Sequence, residues 1–324
     1  MKLLSFGEIL WDIIGKQQHL GGAPFNLAVH AARCGMDAGI VSALGTDALG
    51  TQALQATTEH HVDPRFIQVL QDYPTGRVDV TVSAQGQPDY VIHEHVAFDH
   101  IAMDEPTIEA IVAQAYDVFC FGTLVQRCEA SRSSLVHLLE RLRSTPCRIF
   151  CDVNLRQHYY HPSVLEFCLD ACHILKLNED EVAVLGQMFF HKTFSALEEV
   201  CSALAHAKDI DIILVTLGPR GAGLFAQGTF YRVPGLSVQV ADTVGAGDAF
   251  SAKFLSHYLN SGDLMGAIER ANALGAYVAS RPGALPQYDH DTEAFAKRAS
   301  HTITSLDQGR KKTSEKGTYH DETT

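Results

Sequence analysis

The chain has 324 residues, of which 46% are hydrophobic and 19% are charged. This composition is typical of a globular protein with a large core rather than of a disordered chain. The formal net charge of −13 at pH 7 argues against general binding to nucleic acid or to an anionic membrane, because both need a basic face. Any anionic ligand must therefore be held locally, by helix N-termini, backbone amides or a metal ion.

The predicted elements alternate between short β-rich runs and longer helical stretches. Apolar residues crowd into residues 3–14 and predict one strand there. The elements that follow are predicted, in chain order, as a helix over Gly22–Cys34, a strand over Gly39–Leu44, a helix capped by Asp47 that runs to about His60, a strand over Tyr116–Phe121, a helix from Ser131, a strand over Arg148–Val153, a helix after His161, a strand over His173–Leu177, helices over Asn178–Leu185 and Ala196–Ala207, and a strand over Asp211–Thr216. Such alternation indicates parallel βαβ units in one sheet with helices on both faces.

Residues 77–96 interrupt this alternation. Apolar residues recur at every second position over Val78–Val82 and again at Tyr90 and Ile92, with turn-forming residues over 83–88. This pattern predicts a β-hairpin. A sheet inserted into an α/β protein can act as a lid over a site, and an ordinary surface hairpin is the alternative.

The C-terminal segment is polar and rich in Lys, Thr, Glu and Asp from about residue 305. Such a segment cannot bury enough apolar surface to fold, so we expect it to be disordered. We predict one domain over residues 1–304, with lid strands within about 12–20 and 77–98, and a disordered tail over residues 305–324.

Eight cysteines are spread along the chain without a CxxC pair. Cys147 and Cys151 are four residues apart, as are Cys168 and Cys172, which is an unusual spacing for a zinc site. We interpret them as core thiols, since free cysteine is commonly buried. Free thiols suit a reducing compartment, and no segment has the uncharged length of a membrane span, so the sequence predicts a cytoplasmic protein.

The most informative stretch runs from Asp242 to Phe250 and reads Asp-Thr-Val-Gly-Ala-Gly-Asp-Ala-Phe. It follows a β-like run over residues 236–240 and precedes an apolar helix over Ala249–Leu259. Small residues before a helix leave backbone N–H groups free, and the helix dipole adds positive charge, so a phosphate can bind there. Asp248 stands at the mouth of this anion hole. Helix capping alone does not explain the Gly-Ala-Gly run before it, which favours catalysis.

A second constellation lies near the N-terminus, in the run Gly-Gly-Ala-Pro-Phe-Asn over residues 21–26. Gly21 and Gly22 allow the backbone to approach a small polar ligand, and Asn26 offers the donor and the acceptor that sugar hydroxyls need. Asp12 is predicted at the carboxyl edge of a parallel sheet, where ligands bind in such folds. Alone, Asp12 would equally fit a surface residue, and the glycine segment a turn and cap.

Together these segments resemble the PfkB, or ribokinase-like, carbohydrate kinases from Leu3 to about Pro286. Both family signatures occur in order: Gly21–Asn26 with the following Gly45 and Gly50, and then Asp242–Asp248 about 220 residues later. The resemblance implies a central, mainly parallel sheet with helices on both faces and a small β-sheet lid. It also implies ATP-dependent transfer of the γ-phosphoryl group to a sugar hydroxyl.

The resemblance further implies a role for each matching residue. Asp248 would be the general base, and the anion hole would consist of the backbone amides of Gly245, Ala246 and Gly247. The sugar would be held by Asp12, Gly21, Gly22 and Asn26.

For the nucleotide and its ions, Asn178 and Glu181 resemble the family's NxxE motif near Mg²⁺ and the phosphates, so Glu181 would act on Mg²⁺ indirectly. A nucleotide loop is matched over residues 216–221, which places Thr216, Gly218 and Gly221 at the nucleotide. Asn272 matches the position beside the adenine, and Asp242 with the backbone around Ala279–Ala284 would hold a monovalent cation, with K⁺ as the candidate.

The acceptor sugar is indicated by segments that are most similar to fructokinase-like members: residues 7–12, residues 152–156 and residues 175–178. They favour fructose as the substrate and fructose 6-phosphate as the product. Arg156 would contact the sugar or an acidic group on it, so 2-keto-3-deoxygluconate stays a possible substrate. Ribose and other sugars also stay possible substrates. A surface arginine paired with a carboxylate is the alternative for Arg156.

Other classes of protein fit less well. The chain has neither G-x-G-x-x-G after its first strand nor G-x-x-x-x-G-K-[ST], which disfavours a nucleotide-binding dehydrogenase and a P-loop kinase. A non-catalytic sugar-binding regulator on the same fold would be expected to lose its base, whereas Asp248 is intact. The expected partners are a sugar and ATP, without nucleic acid or membrane. A second copy could pair with an apolar outer face of the lid to form a homodimer.

Overall fold

The computed structural model describes residues 1–82, 88–191, 194–288 and 292. Within them, the strands are β1 (Lys2–Phe6), β2 (Leu10–Ile14), β3 (Gln17–Gly21), β4 (Asp37–Gly45), β5 (Asp63–Leu70), β6 (Gly76–Val82), β7 (Pro88–Ile92), β8 (Val118–Gly122), β9 (Arg148–Asp152), β10 (Ile174–Asn178), β11 (Ile212–Thr216), β12 (Gly221–Ala226) and β13 (Thr229–Pro234). The α-helices are α1 (Ala23–Arg33), α2 (Ala48–Glu59), α3 (Glu105–Ala113), α4 (Glu129–Leu142), α5 (Pro162–Ala171), α6 (Glu179–Phe190), α7 (Leu197–Lys208), α8 (Ala246–Ser261) and α9 (Leu264–Ala279). None of these helices combines the length and the apolar character that crossing a bilayer requires.

Nine strands form a large sheet in the order β13-β12-β11-β10-β9-β8-β1-β4-β5. Neighbours from β11 to β5 are parallel, whereas β12 and β13 run antiparallel at one edge. This is the mainly parallel sheet that the alternation of strands and helices predicts. Because parallel strands are joined by crossovers, their carboxyl ends meet at one edge, where the loops build a site.

Both faces of the large sheet are covered. In β1, Leu3 enters the core that contains residues of α1, α8 and α9, while Leu4 enters the core formed with α3 to α7. Successive strand residues point to opposite faces, so this alternation places β1 in the centre of the molecule. The four cysteines that are spaced four residues apart in the sequence are buried in the core formed with α3 to α7. They are free thiols, as predicted: Cys147, Cys151, Cys168 and Cys172.

A second sheet has the order β3-β2-β6-β7. The pairing of β6 with β7 confirms the predicted hairpin, whose turn over residues 83–87 lies outside the described residues. β2 pairs antiparallel with β3 and parallel with β6. The predicted boundaries of the domain, and the tail over residues 305–324, remain predictions because the tail is not among the described residues.

The single strand predicted over residues 3–14 is wrong. The chain leaves the large sheet at Gly7, which has a φ of 150° and packs against the ring of Pro24, where a Cβ would lie only 2.6 Å from Cγ. β2 therefore belongs to the small sheet. Asp12 consequently lies within a strand of the small sheet and not at the carboxyl edge of the large one.

Two boundaries near the second signature also differ from prediction. Residues 236–240 form no strand, and α8 begins at Ala246 rather than at Ala249. The reason is Gly245, whose left-handed φ of 77° ends the loop and starts the helix three residues early. Asp248 is therefore in the first turn of α8.

Candidate active site

The first turn of α8 opens onto the carboxyl edge of the large sheet. A Cβ on Gly245 would lie 2.5 Å from the carbonyl oxygen of Ala284, so only glycine fits this turn. Ala246 donates its amide hydrogen to the Thr243 carbonyl at 3.3 Å. In the part of the chain described, the amides of Gly245 and Gly247 have no such acceptor and remain available to an anion.

Asp248 connects this turn to the N-terminal constellation. Asn26, buried on α1, donates its amide Nδ2 to Asp248 Oδ2 at 2.9 Å. Burial and the negative charge of Asp152 raise the pKa of Asp248, the Asn26 hydrogen bond, Lys176 and Arg156 lower it, and the net result is a pKa of about 6. Such a carboxyl group is ionised at neutral pH and basic enough to accept a proton, which suits a general base.

A buried ion pair lies behind Asp248. Lys176 Nζ is 3.1 Å from Oδ1 and 3.0 Å from Oδ2 of Asp152, and both side chains are buried. Burial alone would lower the pKa of Lys176, but Asp152 and Glu181 outweigh it and raise that pKa. A Cβ on Gly247 would lie 3.2 Å from Lys176 Nζ, so the ammonium borders the anion hole. No role was predicted for either residue.

Glu8 is a further buried carboxyl group at the site, and no role was predicted for it from the sequence. It lies in the loop between β1 and β2 and accepts the Ala23 amide hydrogen at Oε1 over 3.3 Å. Burial raises the pKa of Glu8 to about 7, and Asp248 contributes in the same direction. Glu8, Asp152 and Asp248 line a pocket together with the apolar side chain of Leu27. Carboxyl groups beside an apolar wall are the kinds of groups that bind a small hydroxylated ligand.

The residues assigned to the sugar lie close to one another, and Asn26 connects them to Asp248. A Cβ on Gly21 would lie 3.2 Å from Asp12 Oδ2 and 4.0 Å from Asn26 Oδ1, so these three residues meet. Asn26 Oδ1 is buried and has no hydrogen-bond partner among the described residues. Gly22 has a φ of 109° and packs on the Glu8 carbonyl, where a Cβ would lie at 2.4 Å. Asp12 thus reaches the predicted site from the small sheet.

Arg156 faces the same group of carboxylates. Its side chain is exposed and makes neither a hydrogen bond nor an ion pair within the described residues. Its positive charge lowers the pKa values of Glu8, Asp12 and Asp248, which shows that the guanidinium lies near all three. No ion pair between Arg156 and a carboxylate occurs within the described residues, and the role of this exposed arginine stays a prediction.

Asn178 and Glu181 form a reciprocal cap at the start of α6. Asn178 Oδ1 accepts the Glu181 amide hydrogen at 2.9 Å, and Glu181 Oε2 accepts that of Asn178 at 2.7 Å. Glu181 Oε1 accepts from the Leu155 amide at 2.9 Å. Because both oxygens already have donors, this carboxylate suits an indirect contact with Mg²⁺ better than direct coordination.

The other residues assigned to the nucleotide lie along the next strands. Thr216 at the end of β11 is paired with Asn178 at the end of β10. Gly221 pairs with Pro234, whose carbonyl accepts the Asn272 Nδ2 hydrogen at 2.9 Å. Gly218, with a φ of 56°, begins the short 3₁₀ turn that precedes Gly221. Asn178, Thr216, Gly218 and Gly221 therefore follow one another along the edge of the large sheet, and Asn272 reaches this edge from α9.

Asp242 lies where the resemblance puts a cation loop. Its Oδ1 accepts the Val244 amide hydrogen at 3.0 Å, and Oδ2 accepts that of Gly283 at 3.2 Å. The Asp242 amide itself donates to the Ala279 carbonyl at 3.2 Å. The carboxylate and the backbone of the segment around Ala279–Ala284 are thus adjacent.

Comparison with known proteins connects this geometry to a family. A family profile described as pfkB family carbohydrate kinase matches residues 5–290. Fructokinase-1 of Oryza sativa subsp. japonica is 28% identical over 319 residues, which cover 90% of this chain and 96% of that protein. The predicted resemblance is thereby confirmed.

Solved structures agree with the fold. An uncharacterized sugar kinase from Pyrococcus horikoshii, solved in complex with ATP, is 25% identical with a TM-score of 0.76, over 92% of this chain and 99% of that one. A structure from Escherichia coli, solved with ATP and Mg²⁺, is 22% identical with a TM-score of 0.78, again over 92% and 99% of the two chains. The large sheet with its flanking helices and the small second sheet are the architecture that the resemblance implied.

Proposed function

Because this chain belongs to the pfkB family of carbohydrate kinases, we propose that it transfers the γ-phosphoryl group of ATP to a hydroxyl of fructose, with fructose 6-phosphate as the product. The observation that carries the proposal is the hydrogen bond of 2.9 Å from Asn26 to Asp248. It holds the candidate base between the candidate sugar residues and the anion hole. The similarity to a plant fructokinase supports fructose as the acceptor.

In the proposed reaction, Asp248 takes the proton of the attacking hydroxyl. Its pKa of about 6 keeps it ionised at pH 7 without making it a weak base. The free amides of Gly245 and Gly247, with the dipole of α8, stabilise the charge on the transferred group. Mg²⁺ bound with the nucleotide supplies neutralisation of the phosphates, and the structure solved with ATP and Mg²⁺ supports both cofactors.

A second acceptor is favoured by one specific observation. Arg156 is exposed toward the carboxylates of the pocket and has no partner among the described residues. A guanidinium with free N–H donors pairs well with a carboxylate on a ligand. A sugar acid such as 2-keto-3-deoxygluconate is therefore the alternative substrate.

Three further assignments belong to the same proposal. The carboxylate of Asp242 supports a monovalent cation site for K⁺, tested by the dependence of turnover on K⁺ concentration.

Ile14 and Tyr90 lie on one face of the small sheet and are 44% and 50% exposed, which supports a homodimer through that sheet. Sedimentation at high protein concentration that finds only a monomer would exclude the dimer. The cytoplasmic location remains a prediction from the free thiols.

The test is an ADP-release assay with Mg²⁺-ATP against fructose, 2-keto-3-deoxygluconate and ribose. We expect turnover with fructose, and a loss on the order of 10²–10⁴-fold in Asp248→Asn, which removes the base. Asp263→Asn is the matched control, because Asp263 caps α9 by accepting from the Gly266 amide. That control should keep its activity.

Each component of the proposal has its own contrary result. Preferred turnover of the sugar acid would replace fructose as the substrate. Full activity in Asp248→Asn would remove that residue as the base. Binding of sugar and ATP without turnover would favour a catalytically silent regulator on this fold.

A further inference from the structure

The buried Lys176 is a cation that the reaction described above does not use. It lies in β10, its ammonium is close to Asp152 and to Gly247, and its side chain is only 8% exposed. We propose that Lys176 contacts the transferred phosphoryl group and supplies a full positive charge beside the amides of the anion hole. This rests on the proposed kinase function of the same site.

The donors of Lys176 are not exhausted by its neighbours. An ammonium group has three N–H donors, and Asp152 is its acceptor in the described part of the chain. Both Asp152 contacts together engage at most two of these donors. The remaining N–H and the free amide of Gly247 lie next to each other, since a Cβ on Gly247 would be 3.2 Å from Nζ. One anionic oxygen can therefore accept from both.

Of the surrounding carboxylates, Asp152 is the one that contacts Lys176 in the described part of the chain. Glu181 is satisfied by two backbone amides, and Asp248 accepts from Asn26. A buried lysine–aspartate pair is in general a weak source of stability, because desolvation offsets the attraction. Because the chain has a net charge of −13, phosphate must be held by local groups, and this ammonium is a local cation beside the predicted anion hole.

Lys176 keeps its protons throughout the proposed step. A bond forms between the sugar oxygen and the γ-phosphorus, and the bond from that phosphorus to the bridging oxygen of ADP breaks. The electron pair of the broken bond stays with ADP, and Asp248 receives the hydroxyl proton. Lys176 contributes hydrogen bonding and charge to the phosphoryl oxygens, while Asp152 positions the ammonium.

The experiment compares nucleotides with and without a γ-phosphate. Calorimetric titrations with Mg²⁺ and either ADP or a non-hydrolysable ATP analogue are made on wild type, Lys176→Met and the double variant Asp152→Asn/Lys176→Met. The double variant removes both buried charges, so it avoids leaving Asp152 unpaired and protects the fold. Lys208→Met is the matched control, since Lys208 pairs with Glu166 at 3.3 Å and Asp170 at 2.9 Å away from the site.

We expect both Lys176 variants to bind the ATP analogue roughly tenfold more weakly with unchanged ADP affinity, because only the analogue carries the contacted group. Their kcat should fall on the order of 10²-fold with little change in the KM for the sugar. Lys208→Met should match wild type in every measurement.

The proposal is overturned if the double variant binds the analogue and turns over like wild type. It is also overturned if the affinities for ADP and the analogue fall equally, since that pattern belongs to a purely structural ion pair. The titrations need no sugar, so an incorrect choice of acceptor leaves this test intact. Wild-type protein that binds neither nucleotide would overturn the kinase function itself, and this proposal with it.

Discussion

The acidic side chains at the two edges of the large sheet lie in different surroundings. At the carboxyl edge, Glu8 is buried and Asp248 is partly buried, and their pKa values are raised to about 7 and about 6. At the amino edge, Arg148 pairs with Asp211 at 2.7 Å, and both side chains are partly exposed. Burial would lower the pKa of Arg148, but Tyr258 and Asp211 outweigh it, so pairing stabilises the charged form.

We interpret the carboxyl edge as the part of the sheet that serves function, and the amino edge as a part without a functional role. Carboxyl groups that cluster in one pocket with pKa values raised by burial are a common feature of functional sites. The amino edge contains ordinary surface pairs, which contribute little to folding. Substitutions at the carboxyl edge should therefore change catalysis more than stability, and those at the amino edge should not affect catalysis.

The largest effect that tests this contrast comes from the two ends of α8. Gly245 and Gly262 have similar φ values, 77° and 70°, yet a Cβ would overlap Ala284 at Gly245 and meet nothing within 4 Å at Gly262. We expect Gly245→Ala to lower kcat on the order of 10²-fold, because the anion-hole amides are displaced. Gly262→Ala should lose only about 1–2 kcal/mol of stability from its left-handed backbone. Steady-state kinetics and thermal unfolding measure both, and equal kcat losses would break the comparison.

A smaller effect should appear in the pH dependence. Asp248 must be ionised to accept a proton, so kcat/KM should fall as the pH drops through about 6. Asp152→Asn removes a negative neighbour that raises the pKa of Asp248, and the acid limb should move to lower pH. The Asp263→Asn control should leave the limb in place. An unmoved limb in Asp152→Asn would show that this pair of carboxylates is not coupled.

The raised pKa of Asp248 also affects the stability of the folded protein. Because the folded-state pKa of Asp248 lies above the ordinary value of 3.8, its ionised form destabilises the folded protein. That destabilisation is complete above about pH 6 and disappears as the pH falls to 3.8. Asp248→Asn should therefore unfold at the same or a higher temperature than wild type at pH 7.

The smallest effect is expected at the amino edge. Arg148→Met removes the pair with Asp211, whose members are 35% and 49% exposed, and should lower the free energy of unfolding by about 0.2–1 kcal/mol. Chemical denaturation measures this loss, and kcat should not change. A fall in kcat comparable to that of Gly245→Ala would remove the distinction between the edges.

The fold was predictable because its signals are local. Alternating strands and helices predicted the large sheet, and two-residue periodicity predicted the hairpin of β6 and β7. The break at Gly7 was not predictable from periodicity, since apolar residues continue on both sides of it. Only the tertiary contact with Pro24 shows that the chain changes sheets there.

The candidate site was predicted where residue type and spacing carry the signal. Glycines, Asn26 and Asp248 were singled out by their patterns and their roles stay predictions, whereas Asp152 and Lys176 received no role. A lysine between two leucines in a strand covered on both faces signals a buried charge that needs a partner. Its partner depends on the register that places Lys176 opposite Asp152, and register is a property of the folded sheet.

The hydrogen bond from Asn26 to Asp248 joins residues that are 222 positions apart in the chain. Contacts of such long separation form late, because the loop they close is entropically unfavourable until the intervening elements have folded. With Asp248 as the proposed base, turnover requires this contact, so activity should recover on dilution from denaturant no earlier than the two ends of the domain have come together.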